Sequence, residues 1–171
     1  MKTTSRIHGF LNLFTATAGA LLLTTLLSVA NPLKQGDSFP DLAPFGLEGS
    51  LPDLKGKVVI VDFFASWCGP CKESFPVMQE LHKKYGDKGL VILAINVDKK
   101  KEDMDDFLAK YPVTFTIVRD ASNKLVKEIK IPTMPSSFVI DREGKIHTAH
   151  RGFHGDESRL SYTQDIEALL K

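Results

Sequence analysis

The apolar positions of this chain fall into short unbroken runs separated by stretches with helical spacing. Val58-Val59-Ile60-Val61-Asp62-Phe63-Phe64 is apolar but for one acid, and Leu90 to Val97 is almost wholly apolar and rich in β-branched residues. Runs of this length and composition predict strands covered on both faces. Between them Phe75, Met78, Leu81, His82 and Tyr85 recur at the spacing of one helix face, and Gly86 supplies a stop. That helix opens near Pro70, and Pro76 inside it predicts a kink. Met104, Phe107 and Leu108 mark one face of a charged surface helix over Lys99 to Tyr111, followed by a short strand, Thr114 to Val118, and a short helix, Ala121 to Lys127. Ser137-Phe138-Val139-Ile140 pairs with Lys145 to His150 across the Gly-bearing turn Asp141-Arg142-Glu143-Gly144. A last helix from Asp156, its expected N-cap, carries Leu160, Thr163, Ile166, Leu169 and Leu170. The order is strand, helix, strand, helix, strand, then a hairpin and a helix. It predicts an α/β domain, a mixed central sheet flanked by helices on both faces.

The two ends of the chain differ in kind. Lys2 and Arg6 precede an apolar stretch from Phe10 to Val29, no acid occurs before Asp37, and Ser28-Val29-Ala30 is a small-residue cleavage pattern. Residues 1–30 therefore read as a secretory signal, with an uncleaved signal anchor as the rival, since a spanning helix needs about 20 apolar residues. Either reading places residues 31–171 outside the cytoplasm, in the periplasm or an equivalent compartment. That remainder is one domain of ordinary size. Residues 31–53 hold four prolines and read as an irregular N-terminal extension with a small hairpin around Glu48-Gly49. The formal charge is +1; without Lys2 and Arg6 the 20 remaining basic residues face 21 acidic ones. Such a balance argues against nucleic acid as a partner, and a monomer is expected.

Charge says little, but cysteine usage says much. The chain has two cysteines, both in Trp67-Cys68-Gly69-Pro70-Cys71, where the first strand hands over to a helix. Unpaired N–H groups and the positive dipole end at a helix N-terminus favour thiolate over thiol. A bridge across two intervening residues closes a very small loop and constrains the unfolded chain little, so a purely structural disulfide explains the pair poorly. Thiol–disulfide exchange is the chemistry that remains.

Val61-Asp62-Phe63-Phe64-Ala65-Ser66-Trp67-Cys68-Gly69-Pro70-Cys71-Lys72, the helix proline Pro76, and Met134-Pro135 followed by Phe138 to Ile146 together resemble the thioredoxin superfamily. Within it the chain is similar to exported thiol–disulfide oxidoreductases of the TlpA/ResA type, over about Ser38 to Lys171. The resemblance implies a thioredoxin fold with an N-terminal extension and an inserted helical segment. It implies that Cys68 is the exposed nucleophile and that Cys71, one turn inward, resolves the mixed disulfide. Lowering a thiol pKa from about 8.5 to about 7 takes about 2 kcal/mol, within reach of helix N–H donors. Pro70 fits the first helical turn, Gly69 lets a substrate backbone approach, and Trp67 caps the site against water. Asp62, the acid inside an apolar strand, is expected to point inward beneath the cysteines with a raised pKa and to exchange a proton with Cys71. Pro135 is expected to be a cis proline whose neighbour Met134 offers a backbone edge and a soft side chain to the substrate; Pro132 is the competing candidate.

Two departures from the family pattern stand out. Thioredoxins pair the buried acid with a lysine on the next strand, where this chain has Ala94. The TlpA/ResA branch often has a glutamate three residues after the second cysteine, where Ser74 stands and Glu73 is one residue short. The Gly-Pro dipeptide is that of reducing thioredoxins, near −270 mV against about −120 mV for a strong oxidant, a gap of about 7 kcal/mol. The expected activity is reduction of disulfides in exported proteins, including apocytochrome c, with electrons from a membrane donor and no cofactor. The alternatives are a metal-binding protein using the cysteines with His147, His150 or His154, and a thioredoxin-fold peroxidase. No metal site is expected, because two thiols make half a tetrahedral set. Lys99-Lys100-Lys101 reads as a solvated helix entrance.

Overall fold

The computed structural model describes Met1 and residues 32–171. The segment read as a signal therefore lies, apart from Met1, outside the described residues. Strand β1 (Val58–Phe64) sits at the centre of a five-stranded sheet ordered β3-β2-β1-β4-β5, where β2 is Leu90–Asn96, β3 Thr116–Arg119, β4 Ser136–Ile140 and β5 Ile146–Arg151. β1, β2 and β3 run parallel, while β4 and β5 are antiparallel to their neighbours. The mixed sheet follows from the connections. The β1-to-β2 and β2-to-β3 steps each contain a helix, α1 (Gly69–Tyr85) and α2 (Lys101–Lys110), whereas β4 and β5 are joined by a tight turn.

Both crossovers step the same way across the sheet, so their right-handedness puts α1 and α2 on one face. The rings agree: Phe64 lies 4.6 Å from Phe75 of α1 and 5.3 Å from Phe107 of α2. The C-terminal helix α4 (Asp156–Leu169) joins them there, because its Tyr162 hydroxyl reaches Ser137 of β4. The opposite face carries Phe63 and Phe138, packed under Phe39 of the N-terminal extension. The short helix α3 (Lys124–Glu128) also belongs to this second side, where Ile129 and Phe138 border one crevice with Leu33. No helix among the described residues is long and apolar enough to cross a membrane.

Several local expectations shift, each for a physical reason. No hairpin forms at Glu48-Gly49. Glu48 instead makes a lone antiparallel bridge to Arg119 on the β3 edge, with N–H···O distances of 2.9 Å in both directions. Gly49 has φ 119°, and a Cβ there would lie 3.1 Å from Val118 and 3.2 Å from the Ile117 carbonyl. The glycine marks a close approach of two backbones, which sequence alone does not separate from a turn. At the other edge Ser38 bridges Lys145 of the β4–β5 turn, and the Gly36 N–H meets the Ile146 carbonyl at 2.8 Å. The extension thus straps both exposed sheet edges.

β3 begins at Thr116 because Thr114 is taken by the Gln79 side chain, at 2.7 and 2.8 Å. α3 begins at Lys124 because Asn123 sits at φ 54° and the Asp120 carboxylate accepts from the N–H groups of Lys124 and Val126. α2 starts at Lys101, after Lys100, rather than at Lys99. Asp156 is the first helical residue of α4; Gly155 takes the cap position at φ 59°, ψ −128°, which a side chain would strain. α1 runs unbroken through Pro76, which is exposed. The i−4 bond it cannot make frees the carbonyl of Lys72, another exposed residue that water can serve.

Phe75 lies at the middle of the core on the α1 face, fully buried between Phe64, Phe107 at 4.8 Å and Phe115 at 5.7 Å. Phe75→Ala is expected to cost about 3–5 kcal/mol, read as a lower urea midpoint at unchanged slope.

Candidate active site

The apolar pairing of β1 with β2 and β4 ends at Phe64, and the chain leaves the sheet through Ala65, Ser66 and Trp67. Ser66 is clamped by Asp98, whose carboxylate accepts from the Ser66 N–H at 2.9 Å and its hydroxyl at 3.0 Å. Asn96 Nδ2 also donates to Asp98, at 2.8 Å, and returns through its Oδ1 to the Asp98 N–H. Arg119 completes the clamp from β3, donating to the carbonyls of Asp98 and Lys99 and pairing with Glu48 at 2.6 Å. Three donors on one buried carboxylate fix the turn that launches α1. The sequence reading did not single out Ser66, Asp98 or Arg119. The available signal was an acid directly after an apolar strand, the pattern Asn96-Val97-Asp98.

Cys68 stands at the N-cap of α1 with extended backbone, φ −82° and ψ 109°. Its sulfur occupies the place of a capping oxygen and accepts the Cys71 N–H at 3.2 Å. Gly69 and Pro70 form the first helical turn, and Pro70 supplies no orphan N–H. Cys68 and Cys71 are joined in a disulfide with their Cα atoms 5.3 Å apart. Cys71 is fully buried and Cys68 is 3% exposed. The expectation of a projecting Cys68 is corrected here: capping its own helix draws the sulfur in, and it meets solvent at the wall of a cleft.

That cleft, of about 520 Å³, runs between Trp67-Cys68-Gly69-Pro70 and the loop Ile131 to Met134. The Met134–Pro135 peptide is cis, Pro135 is buried and Met134 half-buried. The Pro135 carbonyl is held by the Gly152 N–H at 2.8 Å. Trp67 lines this cleft beside Cys68. It is 69% exposed and forms a ridge between this cleft and a second groove of about 970 Å³, bordered by Asp98, Lys99 and α3, which meets the first at Trp67 and Met134.

Asp62 is 1% exposed, in register with Ala94 of β2 and Ser137 of β4, on the sheet face that α1 covers. No lysine stands opposite it. Burial pushes its carboxyl up to about 7, partly offset by a 2.6 Å hydrogen bond from the Ser137 hydroxyl to Oδ1. Its Oδ2 is buried without a hydrogen-bond partner. Ser74, in the place of the family glutamate, is buried and donates to the Cys71 carbonyl at 3.1 Å, while Glu73 is exposed. The histidines are drawn elsewhere. His147 and His150 turn Nε2 toward Asp165 of α4, at 3.7 and 2.8 Å, and neither they nor His154 line the cleft at Cys68. Among the described residues no group of three or more His, Cys, Asp or Glu could hold a metal ion. Lys101 pairs with Asp105 on the surface of α2.

A capped sulfur pair at a helix tip, a cleft beside it and a buried acid on the same face are shared with known proteins. The Redoxin family profile matches residues 34–166. The chain belongs to the Redoxin family. Among its relatives is the thiol-disulfide oxidoreductase ResA of Bacillus cereus, 33% identical over 137 residues, 78% of this chain and 79% of the relative. ResA of Geobacillus thermodenitrificans is 32% identical over 91% of each chain. A Chlorobium tepidum protein proposed to be the thiol:disulfide interchange protein DsbE superposes with TM-score 0.75 at 40% identity, over 81% of this chain and 99% of that one. This Redoxin-family chain is a thiol–disulfide oxidoreductase of the thioredoxin fold.

In the Redoxin core the Asp62 carboxyl has an ordinary value of 3.8 in water and about 7 when folded. Its contribution to stability is therefore full below about pH 4 and is lost as pH rises through 7. Asp62→Asn is expected to stabilise the oxidised protein by about 2–4 kcal/mol at pH 8.5 and to leave it little changed at pH 4. Urea unfolding at the two pH values measures the difference.

Proposed function

We propose that this protein is an exported reductase of disulfides in extracytoplasmic proteins. The observation that carries the reading is the Cys71 N–H directed at the Cys68 sulfur, at the mouth of an open cleft. The helix end that holds one negative sulfur favours Cys68 as the attacking thiolate once the pair is reduced. Cys68 attacks a sulfur of the substrate disulfide, forming a mixed disulfide and releasing one substrate thiolate. Cys71 gives up its proton and attacks the Cys68 sulfur, closing the Cys68–Cys71 bond and releasing the second substrate thiolate. Two electrons pass from the enzyme dithiol to the substrate. Asp62, with a carboxyl near 7, takes the Cys71 proton in this second step.

The substrate strand lies in the cleft between Gly69-Pro70 and Thr133-Met134, with Trp67 as an apolar ridge along one side. Backbone pairing along an extended segment suits varied protein clients, and Met134 adapts to their side chains. The Gly-Pro dipeptide supports the reducing direction, and the N-terminal basic-then-apolar segment supports export. Similarity to ResA and to the DsbE-type protein supports thiol- or disulfide-bearing proteins as clients; in this reading they are exported proteins, cytochrome c precursors included, and a membrane dithiol donor restores the reduced enzyme.

Wild-type protein is expected to reduce insulin disulfides with dithiothreitol, and Cys68→Ser to fall to the rate of dithiothreitol alone. In cells, Cys71→Ala is expected to accumulate Cys68-linked mixed disulfides with exported proteins, identified by mass spectrometry. Recovery of cytoplasmic proteins alone overturns the assignment of exported clients.

A further inference from the structure

Behind Asp62 lies a pair of hydroxyls that the exchange chemistry does not itself require. Ser137 sits opposite Asp62 in the β1–β4 register and donates to Asp62 Oδ1 at 2.6 Å. The Tyr162 hydroxyl lies 2.7 Å from the Ser137 oxygen, and both residues are buried. A phenol that only accepted here would leave its own hydrogen buried and unpaired, a cost the donating orientation avoids. Tyr162 therefore donates to Ser137, and the single Ser137 hydrogen is committed to Oδ1. A lone pair of Oδ1 is occupied whatever the charge of Asp62. The other oxygen, Oδ2, is buried with no hydrogen-bond partner.

We propose that Ser137 and Tyr162 are positioning residues that direct the exchangeable proton of Asp62 to Oδ2, the oxygen left free for transfer. The inference rests on the reading of Asp62 as proton acceptor for Cys71. In the resolution step the proton leaves the Cys71 thiol and arrives on Oδ2, and the electron pair it leaves on sulfur forms the bond to Cys68. The hydroxyl pair keeps Oδ1 out of that exchange, and the Ser137 hydrogen bond lowers the carboxyl toward a value at which Asp62 is partly ionised near neutrality. Without the Ser137 hydrogen bond, burial acts on Asp62 unopposed.

The groups around Asp62 leave this role to the hydroxyls. β2 sets uncharged Ala94 beside Asp62 in register, and on α1, which covers the same sheet face, the Ser74 hydroxyl is turned to the Cys71 carbonyl. From β5, the His150 ring packs tilted against the Tyr162 ring with centroids 4.3 Å apart, and its Nε2 is committed to Asp165. On α4, Asp165 adds to the burial and the Asp62 charge that hold the Tyr162 phenol well above its usual range, so Tyr162 stays a donor.

The test follows the Asp62 carboxyl by ¹³C NMR titration of the oxidised protein and, in parallel, the pH profile of mixed-disulfide resolution. Ser137→Ala is expected to raise the Asp62 midpoint by about one unit and to move the kinetic midpoint upward with it. Tyr162→Phe, which removes one oxygen and keeps the ring, is expected to move both by a smaller step in the same direction. Ser137→Thr restores the hydroxyl and is expected to restore both midpoints. An unchanged Asp62 titration in Ser137→Ala and Tyr162→Phe overturns the proposal, as does a rate loss that is uniform with pH. If the titrations move but resolution in Asp62→Asn matches wild type at every pH, it is the reading of Asp62 as acceptor that fails.

Discussion

The first turn of α1 is capped by a sulfur atom. An oxygen from serine, threonine or aspartate usually accepts the free N–H groups at such an end; here the Cys68 sulfur accepts the Cys71 N–H instead. One contact therefore serves fold and chemistry together, because the donor that finishes the helix also favours negative charge on that sulfur. It holds only if Cys68 arrives at the cap in extended backbone. That demand explains the surrounding construction: a strand that ends at Phe64, a turn pinned through Ser66 to Asp98, and Pro70 set where its missing N–H costs nothing.

A second constraint opposes stability. A carboxyl with 1% exposure raised from 3.8 to about 7 carries a penalty of about 4 kcal/mol once it ionises, a large share of the margin of a domain this size. A valine at position 62 would continue the pattern of β1 and carry no such penalty. The core absorbs it with aromatic packing, Phe64, Phe75, Phe107 and Phe115 forming one cluster on the same face. An acid placed against every local preference of its strand is the kind of conflict that marks a functional position.

Fold class, strand and helix order and the pairing of the last two strands were legible because each rests on periodicity or on a turn of a few residues. The α1 boundaries were legible for the same reason, through Gly86 and the apolar face from Phe75 to Tyr85. The misreadings share a cause. Gly49, Thr114 and Asp156 each carry a local signal whose meaning is set by a distant partner or by backbone dihedrals. Glycine allows a turn and a close approach alike, and only the presence of the β3 edge beside Gly49 separates them. The exposure of Trp67 and the burial of Cys68 were likewise out of reach, since both depend on how the Met134 loop lies against the helix tip.

Sequence alone determined that two sulfurs sit one helical turn apart at the end of a buried strand, and that an acid interrupts that strand. Those facts are local: spacing along the chain converts directly into geometry within one element. Tertiary structure alone decided which oxygen of Asp62 is satisfied, that Ser137 and Tyr162 stand behind it, and that Asp98 and Arg119 brace the turn before Cys68. These pairs are separated by tens of residues and meet only because the registers of β1 with β2 and β4 and of β2 with β3, together with the docking of α4, bring them together. Hydrogen bonds discriminate over fractions of an ångström, and no one-dimensional pattern carries distance at that scale.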